Sequence, residues 1–119
     1  MSLNLAKYDT KRYDDNDYNC LHFAVDVYHD ITGRDMGVYV QGLMTGRDKR
    51  TIDIDKLKRF VLLAAPNQTC LALMHGGELH AGIYYQSKII HITESGVQCV
   101  PPHIAELNHG KIKYYAVEC

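Results

Sequence analysis

A chain of 119 residues, 46% hydrophobic and 23% charged, is long enough to bury one core and short for two, so a single domain spanning 1–119 is expected. Its formal net charge of −1, with basic residues scattered along the chain, provides no electrostatic footprint for nucleic acid, and that partner class is excluded. No apolar run approaches the roughly 20 residues of a membrane span, and "MSLNLAKYD" lacks the apolar stretch of an export signal; a soluble chain made in the cytoplasm is expected.

The first fifteen residues are polar and carry tyrosines, which predicts an irregular lead-in lying over another surface. From Asp17 to Ile31 the apolar positions Cys20, Phe23, Ala24, Val27 and Ile31 fall on one face of a helix. Asp17 or Asn19 is placed to cap it, and Gly33 to end it. The charged, glycine-bearing stretch from Gly33 to Arg50 reads as loop, with Arg47, Lys49 and Arg50 as solvated side chains. "DIDKLKRFVLLAAP" reads as a second helix stopped by Pro66.

Period-2 segments follow at Cys70 to Met74, Leu79 to Tyr85, Lys88 to Thr93, Val97 to Val100 and Ile112 to Val117. A short helix over "PPHIAELNH" interrupts the last two. Helices first and strands afterwards predict an α+β domain, N-terminal helices packed on an antiparallel meander.

The four cysteines, at 20, 70, 99 and 119, show neither C-x-x-C spacing nor a disulfide framework, and are expected to be reduced thiols. Cys70 and Cys99 alternate with apolar strand residues and are expected in the core. Cys20 differs, because it falls in the first turn of a helix, where unpaired N–H groups and the positive dipole end favour a thiolate. Simple burial on the apolar face is the competing role, free cysteine being among the most buried residue types.

A nucleophilic thiol needs a base, and seven histidines are available. At about 100° per residue, His22 and His29 point away from Cys20 on the helix. In "ELHAGIYYQSKIIHITES", a two-residue loop at Gln86-Ser87 pairs Ile83 with Ile90 and Gly82 with His91. His80 and His91 then become diagonal neighbours, roughly 7–8 Å apart at the backbone, on the face opposite Ala81, Ile83, Ile90 and Ile92. Gly82 leaves room for the imidazole across from it.

Cys20 as nucleophile, His80 as base and His91 as the group orienting that imidazole match the arrangement of acyl transfer, with the Cys20 backbone N–H aiding the oxyanion. Both histidines as plain residues of a half-solvated strand face is the bland alternative. A metal set of His75, His80 and His91 is disfavoured: Glu78 is the only nearby carboxylate and H-E-x-x-H spacing is absent. No metal and no other cofactor is expected.

These residues resemble a family. Cys20 opening a helix, then "HAGIYY" on one strand and "KIIHI" on the next, is similar to the NlpC-type cell-wall peptidases, whose pattern runs D-C-S-G-F, H-V-G-I-Y and a strand ending in I-H. The resemblance spans roughly Tyr8 to Val100. It implies a papain-like α+β fold, a Cys20–His80–His91 triad and hydrolysis of peptide bonds in bacterial peptidoglycan stem peptides, typically between D-glutamate and the following diamino acid. It also implies that Tyr8 or Tyr13 is the tyrosine of the substrate cleft, with Tyr18 and Asn19 as substrate-binding neighbours of the thiol. Small relatives among phage tail components imply phage tail or secretion components as partners, and delivery to the cell wall by that route.

The chain departs from the pattern in two places: Asn19-Cys20-Leu21-His22-Phe23 replaces D-C-S-G-F, and Gln68-Thr69 stands where Gly-Asp usually precedes the first strand. "NCLHF" is also similar to the N-C-E-H-F motif of lecithin-retinol acyltransferase-like proteins, in which the histidine strand precedes the cysteine helix. Here the cysteine comes first, which favours the peptidase over the acyltransferase. A non-catalytic binding module of the same fold is the third alternative.

Overall fold

In the computed structural model the described residues are Tyr8, 19–37, 60–76 and 79–117. They form helix α1 (Cys20–Thr32), strands β1 (Phe60–Leu63), β2 (Cys70–His75), β3 (Leu79–Tyr85), β4 (Lys88–Thr93) and β5 (Gly96–Val100), helix α2 (Pro102–His109) and strand β6 (Lys111–Val117). The strands make one six-stranded sheet in the order β1-β6-β2-β3-β4-β5, antiparallel at each recorded pairing. The domain is therefore α+β. β2 to β5 are the expected meander, and α2 carries the chain back so that β6 pairs with β2.

Strand alternation gives the sheet two buried faces. Leu71, Leu73, Ala81, Ile83, Ile90 and Ile92 pack with Phe23, Ala24 and Val27 of α1. Ala72, Met74, Ile89 and Ile112 pack with Ala105 of α2. Full burial of each large aliphatic side chain contributes about 1.5–3 kcal/mol, so the central strands are held from both sides.

α1 begins and ends where its sequence dictates. The Asn19 side chain accepts hydrogen bonds from the N–H groups of Leu21 and His22, at 3.0 and 3.1 Å, and the His22 ring accepts from Asn19 N–H at 3.0 Å. This is a capping box with histidine in the place of the usual Glu or Gln. At the other end Gly33, with φ of 75°, closes the helix by donating its N–H to the His29 carbonyl.

The β3–β4 hairpin has the expected two-residue turn. Gln86 and Ser87 have φ of 48° and 66°, the pair of positive angles that matches the twist of the flanking strands. Tyr85 faces Lys88 and Ile83 faces Ile90.

Two expectations are corrected. The described end of the segment read as a second helix is strand β1, its Phe60 to Leu63 pairing with Val117 to Tyr114 of β6. A short apolar run is compatible with either form, and here the open edge of β6 satisfies its backbone. Residues 53–59 of that segment, and the basic side chains of Arg47, Lys49 and Arg50, lie outside the described residues. Cys99 is exposed rather than in the core. It sits on the edge strand β5, whereas α1 packs over β3 and β4. Cys70 is buried as expected.

Candidate active site

The capping box fixes the start of α1, and with it Cys20, the helix's first residue, which is 2% exposed. Its sulfur accepts a hydrogen bond from the backbone N–H of Ala81 at 3.4 Å. The recorded β3–β4 pairing ends beside that contact. Tyr85 and Lys88 flank the turn as a hydrogen-bonded pair, so regular alternation makes Ile83–Ile90 and then Ala81–Ile92 the next such pairs. The paired register stops at Ile83–Ile90, and the Ala81 N–H that Ile92 would receive goes to the thiol. Cys20 therefore stands at the seam where β3 and β4 part.

The histidines flank the same seam on the α2 face. His80 is cross-strand from Met74 of β2. Its Nε2 lies 2.8 Å from Nδ1 of His91, the rings at 84° to each other. Gly82 permits this approach: a Cβ there would lie 2.9 Å from the Ile90 carbonyl oxygen and 3.1 Å from the His91 Cβ. His91 is 1% exposed, and its Nε2 has no hydrogen-bond partner among the described residues.

A third imidazole completes the cluster. His109, the last residue of α2, stacks on His80 with ring centres 4.2 Å apart and meets His91 edge-on at 5.1 Å. Two glycines hold it there. A Cβ on Gly76 would lie 2.5 Å from the His109 carbonyl oxygen, and one on Gly110 would lie 2.5 Å from the Gly76 nitrogen, so the end of α2 seats directly on the backbone after β2. The sequence marked this helix without singling out His109, because nothing local shows that the turn after β2 comes so close.

Burial dominates the electrostatics. It pushes the His80 imidazole down to about 3, with His109 and His91 adding to the effect, and His91 down to about 4, with His109 contributing. His109 is lowered by burial as well. All three rings are neutral at neutral pH, so the His80–His91 contact is one N–H donating to one lone pair. If His80 donates from Nε2, its Nδ1 is left as a base.

The remaining site residues are placed as follows. The thiol contacts the amide next to His80, and no hydrogen bond joins it to the His80 ring among the described residues. Asn19 commits its side chain to the helix cap. Tyr8 is buried, its ring edge-on to Phe23 and its hydroxyl donating to the Asp30 carboxylate, ten residues or about 15 Å along the helix from Cys20. Burial and that carboxylate raise its phenol well above the usual range. Tyr13 and Tyr18 lie outside the described residues. His75 belongs to the α1 face, alternating with Met74 on β2, and does not join the cluster.

Comparison of the chain with protein-family models, with curated proteins and with solved structures finds no match.

Proposed function

We propose that this chain is a papain-like cysteine peptidase or amidase that hydrolyses peptide bonds in peptidoglycan stem peptides. The observation that carries the reading is the interrupted β3–β4 ladder, where the Cys20 sulfur takes a strand amide beside the His80–His91 pair. The order of cysteine helix, first histidine strand and second histidine strand supports the same assignment.

In the reaction the Cys20 sulfur attacks the scissile carbonyl carbon while its proton passes to Nδ1 of His80. His91, accepting from Nε2, holds the ring in the competent tautomer. The leaving amine departs with the proton from His80, leaving a thioester on Cys20. Water, losing its proton to His80, then attacks that thioester and releases the carboxylic acid and the thiol. The departures from the family motif have a local role: Asn19 and His22 are the two halves of the capping box that sets the thiol in place.

A silent binding module is the second reading, favoured by the 2% exposure of Cys20 and by the hydrogen bond its sulfur accepts from the Ala81 backbone amide. Incubation with purified peptidoglycan, followed by chromatography of the soluble fragments, separates the two. The peptidase reading predicts stem-peptide release that Cys20→Ala abolishes without unfolding the domain, with His80→Ala nearly as damaging and His91→Ala less so. Acyl-chain turnover without peptide release would move the chain to the acyltransferase-like class. Cell-wall binding that survives Cys20→Ala, with no turnover, would establish the silent module.

A further inference from the structure

One nitrogen of each of His80, His91 and His109 lies within 4.8 Å of the other two. The three rings come from β3, β4 and α2, so the tertiary fold itself assembles them, and the close Gly76–Gly110 approach fixes the third. His91, 1% exposed, turns its Nδ1 to the His80 Nε2 at 2.8 Å, so two of the three donors already converge. Three convergent imidazoles, half-buried at His80 and His109 and fully buried at His91, form a donor set suited to a borderline-soft cation with one position left open.

We propose that His80, His91 and His109 form a site for one divalent transition-metal ion of the zinc class, and that its occupancy switches off the thiol chemistry. The switching half rests on the peptidase reading above. A tetrahedral ion about 2.0–2.1 Å from each nitrogen sets neighbouring nitrogens about 3.3 Å apart. The His80–His91 hydrogen bond, at 2.8 Å, must therefore open by roughly 0.5 Å as it gives way to two coordinate bonds.

The proton balance is simple. Each neutral ring keeps one N–H: coordination through His80 Nε2 moves that ring's hydrogen to Nδ1, His91 coordinates through the Nδ1 lone pair that otherwise accepts it and keeps its hydrogen on Nε2, and no proton is released. His80 Nδ1 then carries a hydrogen and cannot accept the thiol proton. The ion thus removes the base without touching the nucleophile.

Calorimetric titration of zinc chloride into the full 119-residue chain tests the site without reference to activity. One equivalent is expected for the wild type, Cys20→Ala and His22→Gln, with binding at least about 100-fold weaker in His109→Gln, since losing a ligand exceeds the usual cost of losing an outer-shell partner. His80→Asn is the second variant should His109→Gln lose its circular dichroism. No saturable binding by the wild type, undiminished binding in both variants, or binding lost in Cys20→Ala would overturn the site. In the peptidoglycan assay, zinc should inhibit the wild type but not His109→Gln. Full activity at saturating zinc would overturn the switch. Zinc bound by the histidines of a chain with no hydrolysis in its absence would keep the site and overturn the peptidase reading.

Discussion

Gly82 shows how one residue sets the chemistry open to its neighbours. Its missing side chain lets the Ile90 carbonyl and the His91 Cβ approach, and this brings the two rings to hydrogen-bonding distance. Gly82→Ala puts a Cβ 2.9 Å from a carbonyl oxygen held in the sheet, so the strand backbone must shift. The expected result is a stability loss of about 1–3 kcal/mol in urea unfolding, typical of overpacking, together with loss of any peptide release. His80, His91 and Gly82 were legible because period 2 and a two-residue turn fix a hairpin's register from sequence. His109 was not, since its place depends on Gly76 and Gly110, more than thirty residues apart, coming into contact. His75 looked equivalent to His80 in sequence, yet strand alternation puts it on the other face.

Among the elements, α1 and β2 to β6 were legible for a shared reason: each has a clear period and a recognisable stop. The capping asparagine and Gly33 bound α1, and Gln86-Ser87 bounds the hairpin. β1 was misread because "FVLL" is too short to express a period, and its form is decided by pairing with β6, which comes last in the chain. The exposure of Cys99 has a similar origin, as alternation predicts which face a residue takes but not how far α1 extends across it. What the elements contribute to the site is their ends. The start of α1, the start of β3, the later part of β4 and the end of α2 meet where the sheet ladder opens.

For the molecule as a whole, the buried histidines make stability depend on pH. Folded His80 and His91 resist protonation until about 3 and 4, whereas the unfolded chain protonates them near the ordinary value of 6.5. Above that value both states are neutral and folding loses nothing. As pH falls below it the unfolded state takes up protons that the folded state does not, so stability declines from about 6.5 and the decline levels off near 3 to 4. Urea midpoints measured at neutral pH and stepwise down to the folded values should fall along this course, and His80→Asn should flatten the slope. A midpoint constant across that window would contradict the burial of neutral imidazoles. No described helix is long and apolar enough to cross a membrane.

The central claim is that Cys20 and His80 act as a unit, and the most direct measurement needs no substrate: the rate at which iodoacetamide alkylates each cysteine, resolved by mass spectrometry. Cys99, exposed, should react readily, and Cys70, buried with its thiol pushed up to about 12, should stay unmodified. Cys20 should react measurably near neutral pH and slow by at least about tenfold in His80→Ala, since a positioned base contributes at least that much to thiol reactivity, while the Cys99 rate stays unchanged. Cys20 as inert as Cys70, or a Cys20 rate indifferent to His80→Ala, would contradict it.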